Sequence, residues 1–196
     1  MNYLAHLYLS FDNEEVMVGN FIADAVKGQQ LQRFSPEIMK GIKLHRHIDT
    51  FTDNHPVVER SKSRIRDRYR KYAGVIVDMY YDHFLAANWE NYADHDLLSF
   101  TRNAYRRLFR YYVIMPARMK KILPMMAAGN WLASYAKAEN IGLALQGMSR
   151  RTKFVSGIET GLDELQLHYE ELETDFRNFF PVLICESIDF LKNTPT

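Results

Sequence analysis

Apolar residues recur at three- and four-residue spacing along most of the chain, which is the period of an amphipathic helix. The segment after Ser35 shows this pattern clearly, because its apolar positions repeat with every helical turn from Ile38 to Ile48. Ser35 is a suitable N-cap residue and Pro36 is a suitable first helical residue. A helix is therefore predicted from Pro36 to about Phe51.

A second helix is predicted to begin at Pro56, because the residue before a proline is pushed out of the helical region. The same periodicity predicts helices over residues 13–27, 75–91, 95–112, 117–128, 138–150 and 158–191. The last of these is expected to bend or break near Pro181, and the strand-like residues before Pro116 are interpreted as a helix end. No linker or repeat divides residues 1–196, so an all-α, single-domain helical bundle is predicted.

The composition is that of a chain that can form a hydrophobic core without disulfides. It has 196 residues and one cysteine, Cys185, which lies in an apolar run and is expected to pack as a small hydrophobe. The amino terminus has no basic region followed by an apolar run, and no segment approaches the roughly 18 apolar residues of a membrane span. A cytoplasmic protein without membrane association is therefore predicted.

Charge is distributed unevenly, although the formal net charge is only +1. Residues 60–71 and 102–121 are rich in arginine and lysine, whereas residues 159–175 are rich in aspartate and glutamate. A basic surface attracts acidic partners. Nucleic acid is the less suitable partner, because the net charge is near zero and no nucleic-acid reading module is recognisable.

Histidine and aspartate side chains occur at helical spacing in several apolar segments. His45 and Asp49 are four residues apart, so both side chains project from one face of the predicted helix and can bind the same cation. Asp78 and Asp82 repeat this spacing in a segment rich in aromatic residues. Because that segment is expected to be buried, its carboxylates need partners or a metal.

Further polar residues extend this pattern. His83 follows Asp82 directly, Asn20 and Asp24 are four residues apart, and His6 is surrounded by apolar residues. Each of these side chains alone is typical of a satisfied core or capping residue, whereas the whole set favours a metal or acid–base site. Carboxylate and imidazole ligands suit Mn²⁺, Mg²⁺, Fe²⁺ or Zn²⁺ better than a metal that prefers thiolates.

A series of short motifs follows in order along the chain. They are MNYLAHL at residues 1–7, GNFIAD at 19–24, GIKLHRHID at 41–49, FTDNHP at 51–56, DMYYDHF at 78–84, GMSRR at 147–151 and HYEELE at 168–173. Together they resemble the bacterial acyl carrier protein phosphodiesterase family over nearly the whole chain. That family is similar to a divergent branch of the HD-type phosphohydrolases. The resemblance therefore implies an all-helical, HD-like fold and metal-assisted hydrolysis at phosphorus.

The resemblance also implies roles for the candidate residues, with Mn²⁺ as the first choice of metal and Mg²⁺, Fe²⁺ or Zn²⁺ as alternatives. The implied metal ligands are Asp24, His45, Asp49, Asp82 and His83. The implied catalytic or supporting residues are His6, Asp53 and Asp78, and the candidates at the phosphate are Asn20, Lys43 and Arg46. His6 and His83 are the candidates for the general acid at the leaving serine oxygen. His47 is outside the register of His45 and Asp49 and is interpreted as a surface histidine.

The implied reaction cleaves the phosphodiester between a carrier-protein serine and 4′-phosphopantetheine, which yields apo acyl carrier protein. Acyl carrier proteins are small and acidic, so a basic docking face is expected. The arginines predicted to form it are Arg64, Arg66, Arg70, Arg102 and Arg106. Two alternatives stay open: an HD-like phosphohydrolase acting on nucleotides or other small phosphoesters, and a carrier-protein binding module with a vestigial site. The sequence does not indicate an oligomeric state.

Overall fold

The computed structural model describes residues 1–152 and 155–194, and over these ranges the chain is predominantly helical with no β-strand. The all-α prediction is therefore confirmed. The α-helices are α1 (Tyr3–Tyr8), α2 (Glu14–Ile22), α3 (Pro36–Asn54), α4 (Pro56–Tyr69), α5 (Ala73–Ala87), α6 (Leu97–Arg110), α7 (Ala117–Ala128), α8 (Trp131–Ser134), α9 (Ala138–Ser149), α10 (Gly161–Leu167) and α11 (Tyr169–Asn193). Their buried apolar side chains form a connected core. Within the described ranges, no helix combines the length and the apolar character that crossing a bilayer requires.

The consecutive helices α3 and α4 begin where the sequence predicts. The Ser35 side chain accepts a hydrogen bond from the Ile38 N–H at 3.3 Å and caps α3, whose first residue is Pro36. α3 continues past the predicted end to Asn54. The His55 side chain then accepts a hydrogen bond from an N–H of α4 at 3.3 Å and caps that helix. Local side chains thus satisfy donors at both helix starts, as the capping signals indicate.

The largest errors in the predicted helices concern α2 and the carboxy-terminal segment. α2 ends at Ile22, well before residue 27, and the chain tightens into a 3₁₀ turn over Ala23–Ala25. The predicted helix over residues 158–191 is divided at His168, whereas α11 continues through Pro181. A proline removes one helical hydrogen bond, but the buried aromatic and aliphatic side chains of α11 on both sides of Pro181 hold the helix against the core.

Cys185 lies on the exposed side of α11, so its predicted packing in the core is wrong. The buried residues in this part of α11 follow helical spacing from Phe179 and Phe180 through Leu183 to Ser187. Cys185 falls between them on the opposite face. The apolar run around this cysteine therefore misled the prediction, because only one face of the helix is buried.

α2 and α3 cross at two glycines, which allow their backbones to touch. A Cβ atom on Gly19 would lie 2.0 Å from a carbonyl oxygen of α3, and one on Gly41 would lie 2.1 Å from a carbonyl oxygen of α2. Real Cβ atoms do not approach that closely, so neither position has room for a side chain. Asn20 directly follows Gly19, and His45 lies one turn after Gly41. The close crossing therefore brings Asn20 and His45 together.

Replacing Gly41 with alanine is expected to lower the free energy of unfolding by about 1–3 kcal/mol, because the added methyl group must push two helix backbones apart. Chemical denaturation followed by circular dichroism measures this change. Gly147→Ala is the matched control, since no atom lies within 4 Å of a Cβ built at that helical position. There we expect a gain of about 0.5–1 kcal/mol. Equal losses in both variants would contradict the close crossing.

Candidate metal centre

The side chains of His6, His45 and Asp49 meet between α1 and α3, and each offers one nitrogen or oxygen atom within 4.8 Å of the others. His6 Nε2 lies 3.1 Å from Asp49 Oδ1, and His45 Nε2 lies 3.1 Å from Asp49 Oδ2. The two imidazole rings stack with their centroids 4.0 Å apart. Both histidines are buried, whereas the Asp49 side chain is 41% exposed. Solvent therefore reaches this three-residue cluster at its carboxylate.

Asp24 lies at the solvent edge of the cluster. Its Oδ1 atom is 3.3 Å from His45 Nε2, and 62% of its side chain is exposed. The 3₁₀ turn Ala23–Ala25 carries this residue directly after α2. The structure therefore brings Asp24, His45 and Asp49 together, as the family resemblance implies, and adds His6 to them.

Asn20 sets the orientation of the His45 ring. Its amide nitrogen donates hydrogen bonds to the His6 carbonyl oxygen at 2.7 Å and to Ser10 Oγ at 3.0 Å. The amide oxygen therefore faces His45 Nδ1, at 3.2 Å, and Nδ1 carries a hydrogen. This leaves His45 Nε2 as the nitrogen that can bind a cation. Asn20 was predicted at the phosphate, but its amide is buried behind His45 and engaged by the protein.

The electrostatics of the cluster favour a bound cation. Burial, reinforced by the neighbouring His45, lowers the pKa of His6 to about 4. Burial alone would lower the pKa of His45, but its hydrogen bonds to Asp24 and Asp49 raise it to about 9. Burial likewise opposes ionisation of Asp49, yet hydrogen bonds from both histidines hold its pKa far below the usual range. A neutral imidazole, an ionised carboxylate and an imidazole that gives up a proton on binding are suitable metal ligands.

The His6 ring has a nitrogen without a partner. His6 Nδ1 is buried and makes no hydrogen bond with any residue in the ranges that the structure describes. A buried water is a common partner of such an atom, whereas the ring nitrogen that faces Asp49 is Nε2. The nitrogen and oxygen donors of the cluster are also those that Mn²⁺, Fe²⁺ and Zn²⁺ accept, and three protein ligands leave room for water and substrate. The residues present therefore fit a divalent metal.

Asp82, predicted as a ligand, holds the amino-terminal end of α1 instead. Its carboxylate accepts hydrogen bonds from the backbone N–H groups of Asn2, Leu4 and Ala5 at 3.3, 2.7 and 3.2 Å. The side chain is fully buried, and burial raises the pKa of Asp82 to about 7, although the N–H groups favour the charged form. Both carboxylate oxygens are engaged by α1. Asp82 thereby fixes the helix that carries His6.

Two predicted catalytic carboxylates lie beside the cluster and bind amino groups. Asp78 Oδ1 accepts a hydrogen bond from the Met1 amino group at 2.9 Å, and the same amino group lies 3.8 Å from Asp49 Oδ1. Asp53 Oδ1 accepts a hydrogen bond from Lys62 Nζ at 2.8 Å. Each carboxylate is thus neutralised by a cation of the protein itself. Asp78 adjoins the cluster through the amino group that it shares with Asp49.

His83 was predicted as a ligand and as a general acid, and it is engaged elsewhere. Its Nδ1 atom donates a hydrogen bond to the Tyr135 carbonyl oxygen at 2.8 Å, and its Nε2 atom lies 3.1 Å from the Tyr169 hydroxyl. Burial lowers the pKa of His83, as it does that of His6. Both histidines that the sequence nominates as the general acid are therefore held in their neutral form, which suits a ligand better than an acid.

The phosphate candidates Lys43 and Arg46 are both exposed on α3 and differ in their contacts. Lys43 is exposed, and the Arg46 guanidinium donates a hydrogen bond to the Val26 carbonyl oxygen at 3.3 Å. His47, predicted at the surface, is partly buried, and its Nε2 atom lies 2.8 Å from a carboxylate oxygen of Glu186. It contacts α11 and not the metal cluster, as expected for a residue outside the register of His45.

The arginines predicted for docking differ in how firmly the protein holds them. Arg64 binds the buried Asp175 carboxylate, which links α4 to α11, so it belongs to the interior contacts of the fold. Arg66 lies exposed on α4 and pairs with a glutamate of the same helix at 2.5 Å. Arg102 and Arg106 lie exposed on α6. The arginines predicted for docking therefore do not form one continuous surface, since some lie on α4 and others on α6.

Two arginines that were not predicted as site residues act electrostatically on Tyr3. The pKa of Tyr3 is raised first by burial and then by the charge of Asp24, against the opposing positive charges of Arg118 and Arg151. Tyr3 lies one turn before His6 on α1, so both arginines act electrostatically on the helix that carries His6. Arg151 belongs to the GMSRR motif, which could have indicated it. For Arg118 the sequence gives no such signal, because it lies in a general basic stretch.

Replacing Asn20 with alanine is expected to weaken Mn²⁺ binding by about 10–100-fold, because His45 loses the partner that fixes its ring. Isothermal titration of the metal-free protein with Mn²⁺ measures the effect. Ser10→Ala is the matched control: it removes one hydrogen-bond acceptor of Asn20 but keeps the amide oxygen on His45. Equal Mn²⁺ affinity in the wild type and in Asn20→Ala would contradict this supporting role.

Comparisons with known proteins agree on a family. A family model described as acyl carrier protein phosphodiesterase matches residues 1–183. A curated relative of that name from Yersinia enterocolitica is 32% identical over 190 residues, which are 96% of this chain and 98% of the relative. Relatives of the same name from Photorhabdus laumondii and Escherichia coli O127:H6 are 30% and 33% identical over 193 and 182 residues, or 97% and 92% of this chain and 98% and 94% of theirs. No solved structure matches the chain, so the likeness to the HD fold stays a prediction.

Proposed function

The chain belongs to the acyl carrier protein phosphodiesterase family, and from this membership we propose that it releases 4′-phosphopantetheine from holo acyl carrier protein at a metal centre. Family membership makes the protein an enzyme that acts on acyl carrier protein. The observation that carries the finer proposal is the convergence of His6, His45 and Asp49, with Asp24 beside them. Unlike a cluster that only satisfies polar groups in a core, this one opens to solvent at Asp49, where a substrate can reach it.

The metal of this proposal is Mn²⁺, with Mg²⁺, Fe²⁺ or Zn²⁺ as alternatives, and its ligands are His6, His45 and Asp49. When bound, the metal supplies a Lewis acid that lowers the pKa of water and neutralises charge on the phosphoryl group. The partly exposed Asp49 and the exposed Asp24 mark the side from which the substrate enters. The buried Asn20 supports His45 from the opposite side.

The proposed reaction is a single hydrolysis at phosphorus. The oxygen of a water molecule bonds to phosphorus, the bond between phosphorus and the serine oxygen breaks, and the serine oxygen takes up a proton. The products are apo acyl carrier protein and 4′-phosphopantetheine. Asp24 stays ionised, since its hydrogen bond with His45 lowers its pKa, and it can orient the attacking water.

Residues around the entrance complete the proposal. Tyr3 keeps its proton at neutral pH, because burial raises its pKa, and its hydroxyl can donate a hydrogen bond to the leaving serine oxygen. Arg118 and Arg151 act electrostatically on Tyr3, and in this proposal their positive charge attracts the phosphodiester.

Incubation of the wild-type enzyme with holo acyl carrier protein and Mn²⁺ tests the proposed function. We expect the mass of the carrier protein to fall by that of the phosphopantetheine arm, as measured by intact-mass spectrometry. The same protein stripped of metal with a chelator should leave the mass unchanged until Mn²⁺ is restored. An unchanged mass with metal-loaded enzyme would overturn the proposal, and full activity after stripping would remove its metal component.

A further inference from the structure

A charged groove lies between the end of α3, the helix α4 and the start of α5. Its volume is about 760 Å³. The residues that give it charge are four cations, Lys62, Arg66, Arg70 and Lys71, and two acids, Asp53 and Asp67. We call this feature the basic groove. None of its residues belongs to the cluster of His6, His45 and Asp49.

The basic groove adjoins the metal cluster along two helices. Asp53, in its wall, lies one turn after Asp49 on α3, which is about 6 Å along the helix axis. Gly74, also in its wall, lies one turn before Asp78 on α5, whose carboxylate shares the Met1 amino group with Asp49. A protein substrate whose reacting bond reaches the cluster can therefore contact this groove at the same time.

The cations of the groove are not equally available. Lys62 is buried and bound to Asp53, and Arg66 pairs with Glu59 at the rim. Arg70 is exposed, and its guanidinium has no hydrogen bond or ion pair with any residue of the described ranges. Arg70 therefore supplies charge to the groove that the fold does not use.

The backbone of Arg70 is held in an unusual conformation. Its φ is +49° and its ψ is −120°, a region that residues with a side chain rarely adopt and that glycine tolerates. The chain makes this turn between α4 and the 3₁₀ helix Arg70–Tyr72. Such outliers often occur at binding sites, where surrounding structure over-determines them. The turn places an unpaired cation at the groove.

We infer that the basic groove is the surface on which an acidic face of the protein substrate docks, so that its modified serine reaches the metal cluster. The inference rests on the proposed function for the identity of the substrate. The position of the groove decides between the predicted docking arginines. Arg66 and Arg70 lie in it, Arg64 is occupied by the buried Asp175, and Arg102 and Arg106 lie on α6, which packs against α2, α7 and α8. Aspartate and glutamate side chains of the carrier protein are the groups that this surface recognises.

Charge reversal at Arg70 tests the inference. We expect Arg70→Glu to raise KM for holo acyl carrier protein by about tenfold or more, with kcat close to that of the wild type, and to weaken the dependence of KM on salt. Arg70→Gly should also raise KM without lowering thermal stability, because glycine accepts the same backbone conformation. Arg70→Lys should restore most of the affinity. Lys121→Glu, at an exposed position on α7, is the control for an unspecific effect of charge.

A second measurement does not depend on turnover. Fluorescence anisotropy of labelled apo acyl carrier protein, which lacks the arm, should show weaker binding to Arg70→Glu than to the wild type. If the wild type releases phosphopantetheine but Arg70→Glu keeps the wild-type KM and affinity, the docking inference is overturned and the proposed function stands. The docking inference is also overturned if KM rises only in Arg102→Glu or Arg106→Glu. It is overturned as well if Arg70→Glu loses binding of a single-stranded oligonucleotide but keeps its affinity for the carrier protein. If the wild type binds apo carrier protein through Arg70 but releases no phosphopantetheine, the proposed function fails and the docking surface stands.

Discussion

Replacing His45 with alanine is expected to reduce the rate of phosphopantetheine release by about a thousandfold or more. His45 Nε2 faces both Asp49 and Asp24, so its loss removes a proposed metal ligand and the contact that joins the two carboxylates. A bound metal contributes several kcal/mol to charge stabilisation, and each 1.36 kcal/mol is a factor of ten in rate. Single-turnover assays with holo acyl carrier protein and metal analysis of the purified variant measure the rate and the metal content together.

His47→Ala is the matched control for this experiment, because His47 lies two residues away on the same helix and contacts Glu186. We expect it to keep its metal and to retain turnover within a few-fold of the wild type, with some loss of stability. Circular dichroism should show the helical content of both variants unchanged. A His45→Ala protein with wild-type turnover would disprove the metal cluster described here.

Replacing Asp82 with alanine is expected to lower the free energy of unfolding of the metal-free protein by about 3–5 kcal/mol. The substitution leaves three buried backbone N–H groups of α1 without an acceptor, and each unsatisfied group costs about 1–3 kcal/mol. Urea denaturation in the presence of a chelator measures the loss independently of metal. Asp82→Asn keeps one acceptor oxygen in place, so it should lose less.

The same experiment separates the two roles assigned to Asp82. A metal ligand that has no part in the fold would lose Mn²⁺ affinity on substitution but leave the stability of the metal-free protein unchanged. If Asp82 instead anchors α1, its substitution should greatly lower the stability of the metal-free protein. Mn²⁺ affinity should then fall only because His6 is displaced. Wild-type stability of metal-free Asp82→Ala would rule out the anchoring role.

Local signals explain which parts of the fold could be predicted. Ser35 and Pro36 act through contacts within their own helix, and α3 begins where they indicate. α1 was not predicted because its six residues are too short for a periodic signal. The break at His168 was also missed, since the proline at position 181 gave a stronger signal that core packing overrides.

Some residues of the candidate site could likewise be predicted from local sequence, and others could not. The pairing of His45 with Asp49 depends on helical spacing, and the structure brings these side chains together. The need of Asp82 for partners was anticipated from its apolar surroundings, but a sequence does not say whether a metal or a set of N–H groups will meet that need. The contact of His6 with Asp49 joins residues 43 positions apart, for which the sequence has no geometric rule.

The hydrogen bonds between Asp82 and α1 span 77 to 80 positions along the chain. At a synthesis rate of about 5–20 residues per second, the ribosome makes Asp82 roughly 4–15 s after His6. A six-residue helix is not stable alone, so α1 waits through that interval without a fixed structure. A nascent chain therefore brings His6 to His45 and Asp49 only after α5 has emerged. If these residues hold the proposed metal, stalled chains shorter than this should take up no Mn²⁺.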